Sequence, residues 1–215
     1  MNIKVCGMRD ADNIREVEKL GIDMMGFIFW EKSNRYVGAE PPAYLPVRCK
    51  RVGVFVDAQP LAVVEIARRF QLDYIQFHGT ESTCYISEVR NMMRVLNPNI
   101  KIIKAMSIFD RGDLLKTEPY EGICDMLLFD TKGKLPGGNG SRFDWNVLQH
   151  YHGNLPFLLS GGIAPNDASQ INEFHHPMFA GIDLNSKFEI SPGIKDIVKL
   201  KSFKDAILLH KRGLL

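Results

Sequence analysis

A thiol, two carboxyl groups and a guanidinium recur in this chain just where short apolar runs end. Cys6 closes "IKVC" near the start. A thiol, with a reference pKa of about 8.5, becomes a base or a nucleophile when nearby cations lower it; the same residue can equally be a small buried hydrophobe. Asp130 follows "MLLF". Burial makes a carboxyl group hold its proton and fits it for general acid work, while the plainer reading is a turn residue before the loop "TKGKLPGGNG". Asp57 ends "GVFV" in the same manner, and Asp183 lies just inside the end of "GIDL", where it could point inward and bond its neighbours. Arg35, in "FWEKSNRYV", sits beside Tyr36 and near Trp30; a guanidinium there can pair with a carboxylate or simply lie on the surface. His78 ends "QFHG" and either binds a substrate or bonds within its own rim. Gly161 and Gly162 in "SGGI", with Asn185 and Ser186 in "NSKFE", are types that let a backbone approach an anion closely.

These residues form a site only if the chain carries them to one place. Strand-like runs alternate with helical ones: "NIKVC", "DMMGFIF", "RVGVFV", "LDYIQF", "IKIIKAM", "CDMLLF", "PFLLS" and "MFAGIDL" are the strands. Between them, "DADNIREVEKLG" puts Ile14, Val17 and Leu20 on one helical face, and "PLAVVEIARRF", "STCYISEVRNMM", "DRGDLLKTE", "DWNVLQHY" and "PNDASQINEF" read as further helices. A last helix runs from about Lys195 to His210, and "AEPPAYLPVR", with three prolines, reads as loop. Eight units averaging about 27 residues imply an α/β fold with a parallel sheet, and their number suggests a single (β/α)8 TIM barrel over residues 1–215 as one domain. The alternative, an open doubly wound sheet, would carry a glycine-rich turn after its first strand, where this chain has only "CGMRD". In a barrel, active sites lie at the C-terminal ends of the strands, and loops after strands seven and eight form the usual phosphate site. Cys6, the Arg35 loop, Asp57, His78, Ser107, Asp130, "SGG" and "DLNSKFE" all fall at those ends. The cluster "GGNG", Gly137 to Gly140, belongs to a flexible loop or a lid after strand six.

The bulk composition narrows the classes. The 215 residues are 45% hydrophobic and 24% charged, with a net charge of +2, which gives no case for a nucleic-acid partner recognised through a basic face. No apolar run approaches the roughly 18 residues of a membrane span, and no secretory signal opens the chain, so a cytoplasmic protein is expected. Cys6, Cys49, Cys84 and Cys124 are scattered without Cys-x-x-Cys spacing and should be free thiols. His175 and His176 are adjacent on a loop at the opposite face and make a poor ligand pair. No metal is expected.

In order along the chain, "KVCG", "FIFWEKSNRYV", "VGVFVD", "LDYIQFHG", "LFDTKGKLPGGNGSRFDW", "LSGGIAPNDASQI" and "GIDLNSKFE…SPGIKD" resemble the phosphoribosylanthranilate isomerase family over nearly the whole length. The resemblance implies a (β/α)8 barrel of tryptophan biosynthesis. It would catalyse an Amadori rearrangement of a phosphorylated aminosugar without cofactor or metal, as a monomer or homodimer. It implies Cys6 as the base, Asp130 as the acid and Arg35 as the partner of the anthranilate carboxylate. It also places Gly161, Gly162, Asn185 and Ser186 at the phosphate. His78 and Asp183, from their places at the strand ends, are expected as further substrate contacts.

The chain departs from the family pattern at three places. Lys187 stands where glycine is common; if that position needs a positive φ the lysine is strained, and otherwise it brings a charge near the phosphate. Asn34 stands where proline is common, and Asp57 where asparagine is common. A histidine-pathway isomerase would want a carboxylate in place of Cys6, and a non-catalytic phosphate binder would have no use for Cys6 and Asp130 together.

Overall fold

Eight strands pair in parallel in chain order, and the last returns to the first to close a barrel. They are β1 (Asn2–Cys6), β2 (Met24–Ile28), β3 (Lys50–Phe55), β4 (Tyr74–Phe77), β5 (Lys101–Ile108), β6 (Met126–Thr131), β7 (Phe157–Leu159) and β8 (Phe179–Leu184). The computed structural model describes residues 1–131 and 144–211, with side chains as far as 208. The "GGNG" cluster lies outside the described residues. The open doubly wound alternative is excluded by the β1–β8 pairing, in which Ile3 stands opposite Ile182 and Lys4 opposite Asp183.

Side chains alternate between the two faces of a strand, and that alternation separates core from site. On β1, Ile3 and Val5 turn outward into the large core shared with the helices, leaving Lys4 and Cys6 on the inner face. Inside the barrel, Met24, Val52, Tyr74, Ile103, Leu128 and Leu158 fill the lower layers, so the interior is packed rather than hollow. One step higher along the same inward rows come Cys6, Gln76 and Asp130.

The covering helices are α1 (Ala11–Lys19), α2 (Pro60–Arg69), α3 (Thr83–Leu96), α4 (Arg111–Leu114), α5 (Ala168–Glu173) and α6 (Ile197–Lys211). Their starts follow local chemistry. Asp10 accepts from the Asn13 N–H and Ser82 from the Tyr85 N–H, each satisfying an otherwise orphaned donor of the first turn, and Pro60 occupies the first turn of α2, where no N–H is needed.

Four segments differ from the sequence expectation. "DRGDLLKTE" holds one turn of α-helix, α4, that runs into a 3-10 helix, Leu115–Tyr120. "DWNVLQHY" forms a 3-10 helix, Trp145–His150, capped by Asp144. "PNDASQINEF" is a 3-10 turn, Pro165–Asp167, running into α5. The stretch after β8 holds an antiparallel hairpin, β9 (Glu189–Ser191) and β10 (Ile194–Lys195), so the last helix starts at Ile197 and Lys195 belongs to a strand. Gly193, at φ +85, makes the tight turn that no helix pattern predicts. Among the described residues no helix is long and apolar enough to cross a membrane.

Candidate active site

A cavity opens at the C-terminal mouth of the barrel, and the strand ends deliver their residues into it. Cys6, His78, Asp130, Asp183, Gly161, Gly162, Asn185 and Ser186 all line it. Its β2–β3 flank is mainly apolar, made by Ile28, Trp30, Val54 and Val56 beside Ser33, whereas its β7–β8 flank is mainly polar or glycine backbone, built from Ser160, the two glycines, Asn185 and Ser186 beside Ile163. Cys6 and Asp130 lie between these flanks, on β1 and β6.

Cys6 is almost wholly buried, at 4% exposure. It stands level with Gly26 on β2, and a Cβ at Gly26 would lie 2.7 Å from its sulfur, so only glycine leaves room for the thiol. Lys4 and Asp183 form a buried ion pair beneath it, Nζ to Oδ1 at 2.9 Å, and the Ser160 hydroxyl donates to the other Asp183 oxygen at 3.4 Å. Burial pushes the Cys6 thiol above its ordinary value, and the ammonium groups of Lys4 and Lys195 pull it back only in part. Burial also works against the charge of Lys4, but Asp183 and Cys6 outweigh it and hold the ammonium above its usual range. Lys4, the one nearby cation that alternation along β1 suggests, therefore does face the same interior as Cys6.

Arg35 is not among the residues that line the cavity. Its Nε and Nη2 form a paired contact with Glu189, at 2.9 and 2.7 Å, which leaves Nη1 outside the pair. That contact raises the affinity of the guanidinium for its proton. Glu189 in turn accepts from Lys195 Nζ at 2.7 Å and from the Gly193 N–H at 3.1 Å. Burial opposes the Glu189 charge, yet Arg35 and Lys195 carry the carboxyl group below its usual range. Burial wins at Lys195, whose ammonium is held below its usual range despite Glu189. Lys195 also donates to Asn185 Oδ1 at 2.7 Å. The β9–β10 hairpin thus ties the Arg35 loop to the β8 loop. Around the thiol stand three cations, Lys4, Arg35 and Lys195, and two carboxylates, Asp183 and Glu189; a thiolate would bring this cluster to neutrality.

Across the mouth, Asp130 is 5% exposed. Its Oδ1 accepts from the Thr131 N–H at 2.8 Å, and its Oδ2 lies 3.3 Å from His78 Nε2. His78 Nδ1 meets Gln76 Nε2 at 3.3 Å. Behind this row a second buried pair, Lys104 and Glu81 at 3.1 Å, anchors the β4 loop: Lys104 donates to the Gly79 carbonyl at 2.8 Å and Glu81 accepts from the Gly79 N–H. Gly161 and Gly162 both have positive φ, at 85° and 72°. A Cβ at Gly161 would come within 2.6 Å of the Thr131 nitrogen, so the β7 loop can lie against β6 only with glycine there.

Asp57 takes no part in the cavity lining. It adopts φ +48, a left-handed conformation that asparagine and aspartate tolerate best, and its carboxylate accepts from both the N–H and the hydroxyl of Thr80. Lys187 is exposed in the 3-10 turn Ser186–Phe188 and is not among the positive-φ residues, so the strain that a replaced glycine suggested is absent. Burial pushes Cys49 and Cys124 up to about 12, as befits inert thiols. His176 bonds to the Tyr151 carbonyl and the Met178 N–H. Among the described residues no cluster of His, Cys, Asp and Glu has a metal-holding arrangement. Sequence reasoning missed Gln76, Glu189 and Lys195. For Gln76 the signal was present, since it precedes His78, the residue just past the end of β4, by two.

Known proteins of similar sequence and shape share this architecture. A model of the family described as N-(5′-phosphoribosyl)anthranilate isomerase matches residues 3–206. A relative of that name from Parabacteroides distasonis is 48% identical over 215 residues, covering 97% of this chain and 94% of the relative. A solved phosphoribosyl anthranilate isomerase, in complex with reduced 1-(o-carboxyphenylamino)-1-deoxyribulose 5-phosphate, is 27% identical with a TM-score of 0.80, covering 97% of this chain and 98% of that one. Monomers generated from the dimeric isomerase of Thermotoga maritima give a TM-score of 0.77 at 27% identity, over 97% of this chain and 98% of that one.

Proposed function

The chain belongs to the N-(5′-phosphoribosyl)anthranilate isomerase family, and from that premise we propose how its residues divide the reaction. It is an enzyme of tryptophan biosynthesis that isomerises N-(5′-phosphoribosyl)anthranilate to 1-(o-carboxyphenylamino)-1-deoxyribulose 5-phosphate. The observation that carries the division is the order of chemistry around the mouth. An apolar flank at β2–β3 suits an aromatic ring, glycine backbone at β7–β8 suits a phosphate, and a thiol and a carboxyl group stand between them where the sugar would lie.

The first step opens the aminosugar ring. Asp130 gives its proton to the ring oxygen as the C1′–O bond breaks toward that oxygen, and the anilino nitrogen lone pair forms the C=N bond of an iminium ion. The iminium makes the C2′ proton acidic. Cys6, as thiolate, removes it, and the C2′–H electron pair forms the C=C bond of an enolamine while the iminium π pair returns to nitrogen. Tautomerisation to the ketone follows. An acid and a base on opposite sides of one sugar are what this sequence of steps requires. Gly161, Gly162, Asn185 and Ser186 hold the phosphate. Arg35 meets the anthranilate carboxylate through the nitrogen that Glu189 leaves, and His78 and Asp183 line the sugar.

We assign the work to residues 1–215 as one catalytic domain, acting in the cytoplasm, where its four unpaired cysteines stay reduced. It acts as a monomer or a homodimer, without a metal or organic cofactor. The test is turnover of freshly generated phosphoribosylanthranilate, followed by its fluorescence in a chelator-containing buffer, beside the aminoaldose substrate of the histidine pathway. Turnover of the first alone is expected; turnover of the second alone, or of neither, contradicts the reading.

A further inference from the structure

We propose that Gln76 is a positioning residue for the acid, holding the His78 imidazole in the tautomer that donates a hydrogen bond from Nε2 to Asp130. The inference rests on the reading of Asp130 as the acid. It starts from the geometry of one row: Gln76 Nε2, the two nitrogens of His78 and Asp130 Oδ2 follow one another at 3.3 Å and 3.3 Å. Once Asp130 has given up its proton its carboxylate only accepts, so the nitrogen that faces it must carry a proton to bond it. A neutral imidazole protonated at Nε2 then shows a lone pair at Nδ1, and that lone pair needs a donor. The Gln76 amide supplies one. An acceptor in its place would draw the proton to Nδ1 and turn the Nε2 lone pair against Asp130.

Two observations mark Gln76 as more than a filler of the inner face. Its side chain is fully buried yet lines the cavity. Its Oε1 has no hydrogen-bond partner among the described residues, a cost that a leucine or methionine of similar size would not carry. The main chain that carries His78 is set separately, through the His78 N–H to the Phe55 carbonyl and through Lys104 and Glu81 around Gly79. What remains for Gln76 is the ring itself, its orientation and its tautomer.

The consequence falls on the ring-opening step. When the Asp130 proton passes to the ring oxygen, its O–H pair stays on the carboxylate. The His78 hydrogen bond to that oxygen becomes charge-assisted and strengthens. An interaction stronger in the transition state than in the ground state accelerates the step. Thr131 holds the other oxygen throughout.

The test uses the full-length protein with 15N-labelled histidine, at about pH 8, where an ordinary imidazole is neutral. Long-range 1H–15N correlations separate the tautomers, and a His78→Asn variant assigns the signal. The wild type should show the Nε2–H pattern and Gln76→Glu the Nδ1–H pattern. Gln76→Met keeps the shape without the donor and should lower kcat roughly tenfold with KM little changed; it carries the test if the buried glutamate does not fold. The proposal is overturned if the wild type shows Nδ1–H, if both variants keep the wild-type tautomer, or if Gln76→Met turns over as fast as the wild type. Loss of turnover in the wild type itself would instead overturn the isomerase reading, and it is measured independently of the spectrum.

Discussion

Lys4 Nζ lies 2.9 Å from Asp183 Oδ1, joining the two strands that close the barrel directly beneath the Cys6 thiol, and the two side chains keep only 0% and 6% of their exposure. Removing one partner of such a pair leaves an uncompensated buried charge and typically costs ~3–5 kcal/mol. Lys4→Met should therefore lower the urea midpoint markedly, while Lys4→Met combined with Asp183→Leu should recover a large part of it. The double-mutant cycle on urea midpoints reads this directly, and additivity of the two single effects would contradict it.

The same lysine bears on the base. Burial raises the Cys6 thiol more than Lys4 and Lys195 lower it, so the free enzyme holds a thiol at neutral pH. Below a raised pKa the thiolate fraction grows about tenfold per pH unit. Alkylation of Cys6 by iodoacetamide should accordingly be slow at neutral pH and accelerate with pH across that range. A rate that does not change with pH would mean that the thiolate is already formed.

On the proposed division of roles, Glu189 acts on the anthranilate carboxylate through its paired contact with Arg35. Glu189→Gln keeps the shape but weakens the paired contact and leaves Lys195 facing an amide. The expected result is a KM raised by roughly tenfold with kcat changed far less, since a charge-assisted pair is worth about twice a neutral bond. An equal fall in kcat with KM unchanged would place Glu189 in the chemistry instead.

The barrel was legible because strand-like and helix-like runs alternate eight times, and because period-two alternation is robust when one face meets the helices. It put Cys6, His78 and Asp130 at one mouth without any structural information. Gln76 was equally placed by alternation, but an amide inside an apolar strand reads as incidental until its neighbour is a histidine in contact with a carboxylate. The β9–β10 hairpin was not legible. Its strands have three and two residues, too short for any period, and its purpose, bringing Lys195 and Glu189 against Arg35 and Asn185, depends on contacts between distant parts of the chain. Lys187 misled for a related reason: a glycine in relatives suggested a positive φ, whereas the 3-10 turn here accepts any residue.

The central claim is that Cys6 takes the C2′ proton. Its most direct test is Cys6→Ser, assayed for turnover of phosphoribosylanthranilate and, in the same preparation, for binding of the reduced product analogue. A general base contributes on the order of 10²–10⁴ in rate; the account predicts a loss of that size with analogue affinity kept within a few-fold. Turnover close to that of the wild type would show that another group takes the proton.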